Sequence, residues 1–68
     1  MTVYEWREDT RRLMRLRKAV EVERLAGNDA RVADYQLKAA QIAQYLGVEL
    51  LDGEKRAYRE RLKPKGTV

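Results

Sequence analysis

The side chains that could do chemistry in this chain are arginine, lysine and the carboxylates, because serine, cysteine and histidine are absent from its 68 residues. Without them the usual nucleophiles and the usual general base are missing. A structural zinc site would lack its preferred thiolate and imidazole ligands. The four glycines stand far apart, so they form no glycine-rich phosphate loop. The sequence therefore predicts a protein that is not an enzyme and that holds no metal or cofactor.

The densest group of charged side chains is RRLMRLRK, residues 11–18, with five basic and three apolar residues. At helical spacing its leucines face a core, while basic residues form an outer stripe. The members of this stripe are Arg7, Arg11, Arg15 and Lys18. Arg17 is expected beside the apolar face, with Glu21 four residues further on as a neighbouring acid.

Basic and acidic residues are spread evenly along the chain, which has a net charge of +4. The net charge is +2 over residues 1–27, zero over 28–47 and +2 over 48–68. Nucleic-acid binders concentrate lysine and arginine on one face instead. The distribution favours a solvated helix surface first, a surface for a protein partner second and a nucleic-acid site third.

One segment has part of the pattern of a helix-turn-helix, in QIAQYLGVELLDGEKRAYRERL. Its first half matches the apolar, alanine, apolar, glycine and valine positions at Ile42, Ala43, Leu46, Gly47 and Val48. The recognition helix should then carry apolar anchors where this chain has Gly53 and Arg56. A glycine there weakens a short helix by about 1 kcal/mol, and an arginine at a core position costs more. A DNA-binding regulator is therefore an alternative function, after protein binding.

Aromatic and arginine side chains are candidate contacts for a protein partner, because these residue types are enriched at binding hot spots. Tyr45 falls on a polar sector of its predicted helix, and two aromatic residues lie near the start of the first helix. One of them, Trp6, could instead close an end of the core. The predicted partner-binding residues are Tyr4, Trp6, Arg7, Arg11, Arg15 and Tyr45.

Helical periodicity predicts the elements that position these side chains. We expect an all-α fold, an antiparallel helical hairpin with a short third helix at the C-terminal end. The predicted helices cover about residues 4–26, 30–46 and 53–63, in a single domain of residues 1–63 that precedes a flexible tail, 64–68.

Glycine and short polar residues mark the predicted ends of the helices. Gly27 is expected to close the first helix in the left-handed conformation, and Asn28 or Asp29 to cap the second. Gly47 is expected to close the second helix and Asp52 to cap the third. A hairpin turn at Asp-Gly is the alternative to that third helix.

Two apolar sectors on each of the first two helices indicate a second partner surface. The predicted core and dimer residues are Leu13, Leu16, Val20, Tyr35, Ala39, Ile42 and Leu46. The additional sectors comprise Met14, Val22 and Leu25 on the first helix, and Ala33, Leu37 and Ala40 on the second. One antiparallel neighbour covers only one sector of a helix. A chain of this size also buries only about 60% of its unfolded surface, so we expect a homodimer.

The sequence contains no apolar run of membrane-spanning length, and its start, MTVYEWRED, lacks the apolar core of a signal peptide. These features predict a soluble, cytoplasmic protein without a membrane partner.

The hairpin RRLMRLRKAVEVERLAGNDARVADYQLKAAQIAQYLG, with no catalytic side chains and twice as much arginine as lysine, resembles small accessory proteins that temperate phages express early. Over about residues 4–47 the chain is similar to the quorum-sensing anti-activator of Pseudomonas phages, a small helical protein that binds host regulators. The resemblance implies an inhibitor of a host transcriptional regulator, acting in the host cytoplasm. A virion assembly component is a further alternative.

Overall fold

Three helices make up the computed structural model, which describes residues 2–62 and has no strand within them. The helices are α1 (Val3–Leu25), α2 (Asp29–Leu46) and α3 (Asp52–Leu62). The predicted all-α class is confirmed, and the predicted starts of the three helices and the predicted ends of α1 and α2 lie within one residue of the observed ones. The predicted end of α3, at residue 63, falls outside the described residues. The predicted tail, 64–68, falls outside the described residues. None of the three helices combines the length and apolar character needed to cross a membrane.

Local backbone features explain where α1 and α2 end. Gly27 and Gly47 both adopt positive φ, 78° and 74°, the left-handed region in which a side chain would be strained. After Gly47, the Val48 N–H donates to the Ala43 carbonyl at 3.0 Å, which satisfies one of the last carbonyls of α2. The sequence predicted both of these helix ends.

The start of α2 has a predicted cap residue, whereas the start of α3 does not. Asn28 is the N-cap residue of α2, but its side chain caps no backbone N–H and instead donates to Glu23 at 2.6 Å. Asp52 is the first residue of α3 and not its cap. The Leu51 N–H before that helix donates to the carboxylate of Glu54 at 3.1 Å, the side-chain half of a capping box. The alternative of a hairpin turn at Asp-Gly is wrong, because α3 is helical from Asp52 onward.

The core lies where α2 packs against α1. Leu13 and Val20 of α1 are buried, as are Ala39, Ala40 and Ala43 of α2. Around Leu13, Ala39 and Ala43, four partly buried side chains complete the cluster: Leu16, Ile42, Leu46 and Leu50. Tyr35, also among the predicted core residues, is half-buried. Alanines in the contact surface allow the two helix axes to approach closely.

The second apolar sector of α2 faces α3, which covers part of it, since Ala33 remains exposed. Ala40 is fully buried, and Leu37 lines a shallow groove together with Ala33 and, from α3, Ala57. The third helix therefore provides the cover that the sequence led us to expect from a second subunit. The homodimer itself stays a prediction. On α1, by contrast, the residues of the second sector, Met14, Val22 and Leu25, remain exposed.

Candidate functional site

The side of α1 turned away from α2 is a continuous surface of exposed residues at steps of three and four. We call it the outward face of α1, and it consists of Tyr4, Arg7, Arg11, Met14, Arg15, Lys18, Val22 and Leu25. Residues at this spacing lie on one side of a helix. From Tyr4 to Leu25 the face extends about 31 Å, at about 1.5 Å per residue.

Four large apolar side chains lie on this face in water. Tyr4 is 74% exposed, Met14 65%, Val22 57% and Leu25 89%. Single exposed apolar residues are ordinary on a protein surface, whereas several on one side of one element indicate a contact surface. The outward face therefore has the apolar component of a binding site.

The positive charges of the outward face are mostly uncompensated within the molecule. Arg7, Arg15 and Lys18 take part in none of the ion pairs found among residues 2–62. Arg11 is 3.6 Å from Glu8, a loose and exposed pair. Exposed pairs of this kind contribute about 0–1 kcal/mol. The face consequently presents basic groups between apolar ones and carries no acidic residue of its own.

The structure divides the six predicted partner-binding residues into separate groups. Tyr4, Arg7, Arg11 and Arg15 share the outward face of α1. Trp6 lies seven residues before Leu13, on the side of α1 that faces the core, and is 44% exposed.

The sixth residue, Tyr45, belongs to another surface. It is 67% exposed on α2 and lines a shallow groove between α2 and α3 with Tyr58 and Arg61. No residue of α1 lines that groove. The fold therefore does not bring the six predicted residues together on one surface.

A buried ion pair, which the sequence did not suggest, joins α1 to α3. Glu54 is 2% exposed, and its two carboxylate oxygens each accept a hydrogen bond of 2.9 Å from Arg17, one from Nε and one from Nη2. Arg17 Nη2 also donates to the Glu49 carbonyl at 3.0 Å. Hydrogen bonding to Glu54 raises the pKa of Arg17 above its ordinary value. Arg17 thus connects α1, the segment between α2 and α3, and the first turn of α3.

The neighbour expected for Arg17 was Glu21, and that expectation is wrong. Glu21 pairs with Arg24 at 3.2 Å, and both side chains are more than half exposed. The sequence held a signal only for the other role of Glu54, because Glu54 follows Leu51 by three residues, the spacing at which a glutamate caps the start of a helix.

The first turns of α3 differ from a recognition helix at both anchor positions. Gly53 packs against Gln36 of α2, so closely that a Cβ at this position would collide with the Gln36 side chain. Arg56 is exposed. The inward side of α3 is formed by Glu54, Ala57 and Tyr58 instead.

One cleft, with a volume of about 280 Å³, lies where the three helices meet, and the Arg17–Glu54 pair forms part of its wall. Among residues 2–62, carboxylates form no cluster of three that could hold a metal ion. The described surface offers apolar contact and positive charge for binding.

No protein-family model, no curated protein and no solved structure matches this chain.

Proposed function

We propose that this chain is a non-enzymatic helical protein that binds another protein through the outward face of α1 and so inhibits or modulates it. One observation carries the proposal. The outward face combines four exposed apolar side chains with basic side chains that have little compensation inside the molecule. Tyrosine, methionine and arginine, which this face contains, are enriched at protein–protein interfaces, and tyrosine and arginine are also enriched at hot spots.

The resemblance to early phage proteins gives a narrower form of the same proposal. The partner is then a transcriptional regulator of the host, such as a quorum-sensing regulator, and the protein acts in the host cytoplasm. Occluding a regulator requires no catalytic group, which agrees with the absence of serine, cysteine and histidine.

Affinity capture from host lysate, with and without nuclease, tests the proposal. The immobilised full chain should retain a protein partner after nucleic acid has been digested. The matched variants are Tyr4→Ala, on the outward face, and Tyr45→Ala, in the groove between α2 and α3. We expect Tyr4→Ala to weaken capture by about 2 kcal/mol, the scale of a hot-spot truncation, and Tyr45→Ala to change it little. Loss of all captured protein on nuclease treatment would contradict protein binding.

A DNA-binding regulator is the second candidate, and one observation favours it. Lys55, Arg56 and Arg59 are exposed on α3, and none of them joins an ion pair in the part of the chain that the structure describes. If these residues contact phosphates, replacing each by glutamine should reduce the salt dependence of duplex binding by roughly one unit of slope per lost contact. Duplex affinity that is unaffected by the three changes would exclude this role for α3.

A further inference from the structure

We infer that the occupant of the outward face of α1 is an acidic amphipathic helix of a partner protein, an inference that rests on the proposed function and names its partner class. A helix that carries glutamate or aspartate beside an apolar stripe complements both components of this face. Helices laid along a partner surface in this way use anchors at regular helical spacing.

The spacing along the face matches an elongated occupant. Tyr4 lies at one end of the face, Met14 ten residues further on near its middle, and Val22 and Leu25 at the other end. Arg7 and Arg11 lie between Tyr4 and Met14, and Arg15 and Lys18 lie between Met14 and Val22. A straight partner helix of about 20 residues would span the whole face at about 1.5 Å per residue.

Charge decides between this occupant and a second copy of the chain. Two outward faces packed together would bring four basic side chains of one copy against the same four of the other, and like charges at close range repel. An acidic helix instead gives Arg7, Arg15 and Lys18 the counterions that they lack among residues 2–62.

Apolar character decides between a helix and nucleic acid. A phosphate backbone would use only the basic side chains of the face and would leave Met14 and Leu25 in water. Those two residues are 65% and 89% exposed, at the middle and at the end of the face. A partner with its own apolar stripe removes both from water and gains from the burial.

The test uses a fluorescent peptide of about 20 residues, long enough to span the face, with leucines on one helical side flanked by glutamates. A scrambled peptide of identical composition distributes the leucines around the helix. We expect the full chain to bind the amphipathic peptide at least about tenfold more tightly than the scrambled one. Met14→Ala with Leu25→Ala should weaken this binding about thirtyfold, the size of a hot-spot truncation.

Matched charge reversals locate the site. Arg15→Glu with Lys18→Glu alters the outward face, and Lys55→Glu with Arg56→Glu makes the same change in net charge on α3. None of these four residues takes part in an ion pair found among residues 2–62. The Arg15→Glu, Lys18→Glu double variant should bind the amphipathic peptide at least about tenfold more weakly than the unaltered chain. The Lys55→Glu, Arg56→Glu double variant should lose less than about twofold. Circular dichroism checks that both variants keep their helicity.

Four outcomes would overturn the inference. Equal binding of the two peptides would mean that charge alone acts, and equal losses from the two charge-reversed pairs would mean that the outward face is not the site. A dimer of the free chain in sedimentation that Met14→Glu dissociates would mean that a second copy occupies the face. The proposed function fails by a separate result, a lysate capture that retains only nucleic acid. If the Arg15→Glu, Lys18→Glu variant still captures the natural protein partner in full, the inference falls while protein binding stands.

Discussion

Replacing Arg17 by methionine removes the cation of the buried pair and keeps most of the stem that packs beside the apolar face. The Glu54 carboxylate, 3% exposed in its side chain, is then left with the Leu51 N–H as its remaining partner. Breaking a fully buried pair costs about 3–5 kcal/mol. Because the Arg17 side chain is 28% exposed and water can approach, we expect the lower end, about 3 kcal/mol. That is a large part of the roughly 3–10 kcal/mol expected for a domain of this length.

Replacing Glu54 by glutamine should cost less, about 1.5 kcal/mol. The amide oxygen can still accept one hydrogen bond, and Arg17 can turn its guanidinium toward water. The losses in the double variant should therefore be less than additive, with a coupling of about 1 kcal/mol or more, as is usual for residues in one hydrogen-bond network.

Urea denaturation followed by circular dichroism at 222 nm measures these losses as changes in the free energy of unfolding. Arg11→Met is the matched control, since it makes the same replacement on the same helix at a loose, exposed pair, and it should cost less than about 0.5 kcal/mol. A loss below about 1 kcal/mol for Arg17→Met, or strict additivity in the double variant, would refute the assignment of Arg17 and Glu54 as the connection between α1 and α3.

Three further changes test the packing and the turns. Leu13→Ala should lower the free energy of unfolding by about 3 kcal/mol, because Leu13 is the largest buried apolar side chain among residues 2–62. The same replacement at its exposed neighbour, Met14→Ala, should lower it by less than about 0.5 kcal/mol, and thermal unfolding of both variants measures the difference. Ala40→Leu should overfill the space between α2 and α3 and lower the free energy of unfolding by about 1–3 kcal/mol, and hydrogen exchange should increase in α3. Ala30→Leu, at an exposed position in the first turn of α2, is the control that should change neither. Gly47→Ala should cost about 1–2 kcal/mol through its positive φ alone, since a Cβ there meets no atom within 4 Å; an unchanged melting temperature would contradict the left-handed turn.

The sequence by itself determined the three helices and the ends of the first two, because helix formation depends on contacts between residues three or four apart. Periodic apolar positions and left-handed glycines report directly on those local contacts. The outer stripe of basic residues on α1 was also predictable, since it follows from helical spacing alone.

Only the tertiary structure decided which groups meet across the chain. Two glutamates were possible partners for Arg17: Glu21, one helical turn away on α1, and Glu54, 37 residues away in the sequence. Glu21 is 65% exposed and its charge is solvated, while the buried Glu54 needs a cation and at the same time caps α3. Local spacing favoured Glu21 as the partner of Arg17, whereas the burial of Glu54 made Glu54 the actual partner. In the same way, the cover of Ala40 by α3 depends on the path of the segment between Gly47 and Leu51, which sets where α3 packs and leaves the outward face of α1 free.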